Sequence, residues 1–68
     1  MADVLHNRLR DLREAKGITQ AQLAEAIGVS RKTVNTVENG VFVPSSIIAL
    51  KLAAVLGETV ERVFWLAD

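Results

Sequence analysis

Apolar residues recur along this chain at helical rather than strand spacing, in short runs that each stop at a glycine: Gly17, Gly28, Gly40 or Gly57. Leu5, Leu9 and Leu12 form a narrow stripe that predicts a first helix from Val4 to Lys16, with Asp3 as its N-cap. Thr19 and Gln22 have the spacing of a capping box, and Leu23, Ala24 and Ile27 follow on one face, so a second helix starts there. Ser30 is placed to cap a third helix, with Val34 and Val37 inward and its end at Asn39-Gly40. Ser45 caps a fourth helix ending near Leu56, and Thr59 opens a last short one through Val60, Val63 and Phe64. The tail Trp65-Leu66-Ala67-Asp68 either continues that helix or turns extended, giving a short C-terminal segment. The pattern predicts an all-α fold: a compact bundle of these short helices, in a single domain over residues 1–68.

Composition narrows what such a bundle does. The chain has 68 residues, of which 50% are apolar and 4% aromatic, with no cysteine, one histidine and a formal net charge of zero. A core this small supplies roughly 3–5 kcal/mol without a staple. Disulfides and cysteine-bound metal are excluded, which leaves self-association as the expected support. The start Met1-Ala2-Asp3 has neither a basic nor an apolar leader region, so a cytoplasmic, nucleoid-associated location is expected. The most apolar stretch, Ile47 to Leu56, is interrupted by Lys51 and too short to cross a bilayer, so no membrane partner is expected. Residues 1–51 carry seven Lys/Arg against five Asp/Glu, and residues 52–68 one against three, a weak basic bias toward the N-terminal part. Catalysis has little to build on. His6 stands alone near the start of the first helix, and Ser30 and Ser45 are explained as caps. No metal, cofactor or enzymatic activity is expected.

Only Gly28 and Val29 separate the second helix from the capping Ser30. A turn that short makes the two helices cross steeply, and the crossing needs a small residue, which Ala24 supplies. Ala24, Gly28, Val34 and Val37, with Leu23, Ile27 and Val29 between them, match the helix-turn-helix pattern over Gln20 to Asn39. Turning the third helix by about 100° per residue puts Lys32, Asn35 and Thr36 outward, with Arg31 and Thr33 flanking them. Such side chains suit the DNA major groove: Arg and Lys donate to guanine, Asn pairs with adenine, and Thr bonds a base edge or touches a thymine methyl.

The runs LRDLREAKGITQAQLAEAIGVSRKTVNTVENG and PSSIIALKLAAVLGETVERVF, within Asn7 to Phe64, resemble the Cro/phage-repressor (XRE-like) family of DNA-binding regulators. The resemblance implies a bundle of about five helices that binds a double-stranded operator as a homodimer, with the helix at 31–39 in the major groove. It implies base contacts from Arg31, Lys32, Thr33, Asn35 and Thr36, phosphate contacts from Gln20 and Asn39, and an internal salt bridge between Arg13 and Glu38. It also implies a dimerisation segment at about 60–68, with Val60, Val63, Phe64, Trp65 and Leu66 at the interface, and action as a repressor.

The chain departs from that family after Asn39-Gly40. Val41 stands where a lysine is common, Phe42 sits at the position of a packing aromatic, and Ile47 replaces a frequent glutamate. Losing a phosphate partner at Val41 implies a shallower salt dependence. Val41, Val43 and Ile47 form an apolar patch that either packs locally or binds a protein partner. The alternative function is accordingly an antitoxin or anti-regulator that grips another protein, with or without repressing its own operon.

Overall fold

The computed structural model describes residues 3–67; Met1, Ala2 and the tail residue Asp68 lie outside the described residues. The element order is β1 (Leu5–Asn7), α1 (Leu9–Ala15), α2 (Gln20–Ile27), α3 (Arg31–Glu38), α4 (Ser46–Leu56), α5 (Val60–Val63) and β2 (Phe64–Leu66). The five expected helices are present, and a short strand pair joins the two ends of the chain.

That strand pair corrects the first helix. It begins at Leu9 rather than Val4, and Asp3 caps nothing, because Leu5–Asn7 is extended and pairs antiparallel with Phe64–Leu66. Leu5 faces Leu66, His6 faces Trp65 and Asn7 faces Phe64. Further bonds prolong the ladder at both ends, from Arg8 N to Val63 O at 3.0 Å and from Ala67 N to Val4 O at 3.0 Å. The start of α1 is set by Asn7, whose Oδ1 accepts from Leu9 N at 3.0 Å while its Nδ2 donates to Val37 O at 3.0 Å. The spacing of Leu5, Leu9 and Leu12 is compatible with a helix, but backbone bonds to the far end of the chain override it.

The local signals for α2, α3 and α4 are met, whereas Thr59 makes no side-chain cap bond and α5 stops at Val63, short of the expected Phe64, because Phe64 is extended and pairs in β2. Thr19 Oγ1 accepts from Gln22 N at 3.0 Å and Gln22 Oε1 accepts from Thr19 N at 2.8 Å, which completes the capping box. Ser30 and Ser45 cap α3 and α4, each accepting from the amide three residues on, at 3.2 Å. Gly28 closes α2 at φ +75°; Val29 N reaches back to Ala24 O at 3.0 Å and Gly28 N to Glu25 O at 3.3 Å. This left-handed closure turns the chain into α3 within three residues, Gly28, Val29 and the capping Ser30.

The core is aliphatic, with Leu9, Leu23, Leu52, Val34, Val37 and Val63 fully buried. Ala24, Ile27, Ala53, Leu56 and Phe64 complete it. Two residues expected at a dimer contact are therefore used inside the single chain: Val63 is 0% exposed and Phe64 8%. Pairing of β2 with β1 turns them inward and leaves Trp65 and Leu66 outside. Among the described residues no helix is long and apolar enough to cross a membrane.

A Cβ added at Gly28 would meet no atom within 4 Å, so a substitution there tests backbone conformation alone. Gly28→Ala should cost about 1–2 kcal/mol, measured by urea or thermal unfolding. An unchanged midpoint would show that the turn does not depend on the left-handed conformation.

Candidate nucleic-acid interface

The site is built around Glu38, at the C-terminal end of α3. Its carboxylate side chain is fully shielded from solvent. Arg13 Nε on α1 donates to Glu38 Oε2 at 2.6 Å and Arg13 Nη2 to Oε1 at 3.3 Å. Gln20 Nε2, at the start of α2, donates to Glu38 Oε1 at 3.0 Å, and Arg10 Nε reaches the same oxygen at 3.4 Å. The expected Arg13–Glu38 pair is present, and it ties three helices at one point. Arg13 Nη1 also donates to Ile18 O at 2.9 Å, which anchors the loop leading into α2.

Burial alone would push the Glu38 carboxyl up. Hydrogen bonds from Arg13, Gln20 and Arg10, with the Arg13 charge, outweigh it and hold the carboxyl below its ordinary value. The Arg13 guanidinium is raised, first by its hydrogen bond to Glu38 and, against the cost of burial, by the charges of Glu38 and Glu14.

A second layer of amides lies on this clamp. Gln20 Nε2 also donates to Asn35 Oδ1 at 3.2 Å, and Asn39 Nδ2 donates to the same oxygen at 3.2 Å and to Asn35 O at 3.0 Å. Arg10 Nη2 donates to Asn39 Oδ1 at 3.1 Å. Asn35 is exposed as expected, but its carbonyl oxygen already serves two donors. Bidentate pairing with adenine would have to displace them, so Asn35 as it stands offers a base its amide hydrogens.

Arg31 and Lys32 are exposed at the start of α3, and with Gln20 and Asn35 they line a polar hollow of about 320 Å³. Arg31 also borders a larger hollow of about 830 Å³ over Thr19, Gln20 and Ala21, at the N-terminal end of α2. Thr33 and Thr36 are half-buried. The Thr36 hydroxyl donates to Lys32 O and Thr33 O, both at 3.0 Å, and the Thr33 hydroxyl meets that of Ser30 at 3.0 Å. Both hydroxyls thus have partners within their own helix and its cap, which competes with the expected bond to a base edge and leaves the expected methyl contact open to them.

The C-terminal residues are arranged differently from expectation. Val60 is half-buried, and Trp65 and Leu66 are 39% and 57% exposed. Trp65 is held by its own chain: the Arg8 guanidinium lies 4.6 Å from the ring centroid and His6 stacks at 6.0 Å. Val41, Val43 and Ile47 are 78%, 68% and 66% exposed, and Phe42, expected to pack, remains 46% exposed. Among the described residues no cluster of His, Cys, Asp or Glu is placed to hold a metal ion.

Sequence reasoning missed Arg10 and Asn7. Arg10 precedes Arg13 by three positions on one helix face, a signal that predicts a shared partner. Asn7 lay hidden in what reads as the first turn of a longer helix.

The pattern of the Helix-turn-helix family matches residues 9–63. The chain is 39% identical over 64 residues to the HTH-type transcriptional regulator YgzD of Bacillus subtilis, covering 94% of this chain and 97% of that protein. It is 53% identical over 53 residues to the antitoxin HigA-1 of Vibrio cholerae, covering 78% of this chain and 48% of the antitoxin. Among solved structures, the restriction-modification controller protein C.AhdI of Aeromonas hydrophila superposes with a TM-score of 0.77 at 42% identity, covering 81% of this chain and 83% of that one.

Removing the carboxylate strands a buried guanidinium, so Glu38→Ala should cost roughly 3–5 kcal/mol, as much as a bundle of this size holds. A melting temperature equal to the parent's would contradict the clamp. A carboxyl whose folded value is lowered contributes stability above its unfolded value of about 4.3 and loses it as pH falls through the folded value. Below that upper limit the parent should therefore lose melting temperature faster than Glu38→Gln, followed by circular dichroism. Parallel losses would show that the carboxylate is not the titrating group.

Proposed function

This chain belongs to the Cro/phage-repressor-like (XRE-like) helix-turn-helix family of DNA-binding transcriptional regulators, and on that premise we propose that it is a homodimeric repressor of a two-fold-related operator. The observation that carries this reading is the contrast within α3. Glu38, Asn35 and Thr36 are bonded to the protein, whereas Arg31 and Lys32 stand exposed at the helix start. A helix anchored to α1 and α2 through Glu38 and Asn35, with two exposed cationic side chains at its start, is suited to donate to guanine edges in the major groove.

In this reading Arg31, Lys32 and Asn35 face the bases. Gln20 and Asn39 lie at the rim for backbone phosphates, which would draw their side-chain amides away from Glu38 and Asn35, and the N-terminal end of α2 adds backbone donors beside the larger hollow. Positioning contacts of this kind fix register, and base contacts supply the sequence preference. The family comprises DNA-binding regulators rather than enzymes, and nothing in the mechanism requires a cofactor. Repression follows from occupying a promoter in the cytoplasm, at the nucleoid, and excluding polymerase.

One recognition helix contacts too few bases to single out an operator. Two copies joined so that their α3 helices lie roughly 34–36 Å apart would read both half-sites. The segment at residues 60–68 is the proposed contact. Trp65 and Leu66 are its exposed members, Val60 lies at its edge, and Val63 and Phe64 form the rigid floor beneath.

A second reading, an antitoxin or anti-regulator, is favoured by the exposed Val41, Val43 and Ile47 and by the similarity to HigA-1. In that case a protein partner would cover these three residues.

Selection from a randomised duplex pool at about 0.15 M salt separates the two. Enrichment of a two-fold-related sequence supports the repressor. A folded, dimeric chain that enriches nothing supports the protein-binding reading. On the enriched duplex, Arg31→Ala or Lys32→Ala should each weaken binding by roughly 1–3 kcal/mol. Unchanged affinity in both would remove the assignment of the reading face.

A further inference from the structure

The exposed side of α3 is divided. The half shared with α2 is polar, as described above. The other half meets the loop that follows the helix, and there a separate cleft of about 320 Å³ is lined by Ser30, Lys32, Thr33, Thr36, Val41 and Phe42. Its lining is mainly apolar, although it opens beside the exposed Lys32.

Two features make it so. The Thr36 hydroxyl is bonded to Lys32 O and Thr33 O, and the Thr33 hydroxyl is paired with that of Ser30. With those hydroxyls satisfied by the chain itself, the two threonines have methyl groups left to contribute. The amides of Val41 and Phe42 both donate to Thr36 O, at 2.9 and 3.2 Å, which pins the loop against the helix and fixes the width of the cleft. Val41 and Phe42 then supply an apolar wall that α3 by itself lacks.

We propose that this cleft reads thymine, by taking the 5-methyl group of a base next to the one bonded by Lys32. The inference rests on α3 being the base-reading helix, as argued above. In the major groove the 5-methyl is the feature that makes the thymine edge apolar, and contact with apolar side chains is how proteins sense it. A cleft of hydrogen-bonding groups would favour any of the four bases in turn. This one is lined mainly by apolar surface, its threonine hydroxyls each have a partner within the chain, and its lining includes a cation suited to guanine O6 and N7. It therefore specifies a thymine beside a guanine contact, and makes Val41 and Phe42 specificity-determining residues. The valine that replaces a common lysine after Asn39-Gly40 is on this view part of the reading surface.

The test changes the DNA and leaves the protein fold untouched. In the duplex enriched by selection, deoxyuridine replaces each thymine in turn, which removes only the methyl group. At the thymine in the cleft, affinity should fall roughly three- to ten-fold, the effect of losing one buried methyl contact. In Phe42→Ala, whose altered residue is half exposed and outside the core, the same replacement should change affinity by less than in the parent. If the sequence is enriched and Arg31→Ala still weakens binding, but deoxyuridine is neutral everywhere, the cleft proposal is overturned and the base-reading helix stands. If a uridine effect persists undiminished in both Phe42→Ala and Val41→Ser, the methyl is read elsewhere and the proposal is again overturned. If no sequence is enriched, the premise fails and the cleft reading fails with it.

Discussion

The Glu38 carboxylate is shut away from water and held by Arg13 of α1, Gln20 of α2 and Arg10 of α1, with the bond to Arg13 Nε at 2.6 Å. Taking a carboxylate and a guanidinium out of solvent costs several kcal/mol per ion. The cost is offset here by near-complete hydrogen bonding, since both carboxylate oxygens of Glu38 have donors and Arg13 has a second acceptor in Ile18 O. Among the described residues no buried side-chain nitrogen or oxygen lacks a partner. The clamp adds direction to an aliphatic core that has little directionality of its own. Leu, Val and Ala side chains can slide, whereas a bidentate pair fixes the rotation of α3 about its axis. The outward direction of Arg31 and Lys32 depends on that rotation.

Polar bonding then divides the exposed surface of α3. Gln20, Asn35 and Asn39 form an amide lattice over the clamp, which limits what Asn35 can offer a base. Thr33 and Thr36 lose their hydroxyls to local bonds and contribute apolar surface instead. Arg31 and Lys32 remain as long, charged donors at the helix start. The same helix thus carries a locked side, a cationic end and an apolar flank. Composition alone would describe it only as polar.

Signals that act within a few residues were legible in the sequence. Thr19 with Gln22, Ser30 and Ser45 each satisfy amides three positions away, and Gly28 closes a helix through bonds to Ala24 and Glu25. The helix-turn-helix could therefore be read at residue level, whereas the Arg13–Glu38 pair, 25 positions apart, was legible only through the family resemblance. The strand Leu5–Asn7 could not, because its bonds go to Phe64–Leu66 at the opposite end of the chain and its own spacing also fits a helix. The same long-range pairing explains why Val63 and Phe64 became core residues and why Trp65 is gripped by Arg8 and His6. The roles of Asn35 and Thr36 were only half legible: the wheel places a residue on a face but does not show which of its atoms are already bonded.

On the proposed reading, the clamp presents the start of α3 to DNA. Amide chemical-shift mapping by NMR, titrating the folded chain with its selected duplex, tests it most directly. The largest shifts are expected at Arg31, Lys32 and Asn35, followed by Gln20, with little change along the exposed side of α4 at Ile47 and Leu50. Shifts concentrated at Ile47 and Leu50, with Arg31 and Lys32 unmoved, would contradict it.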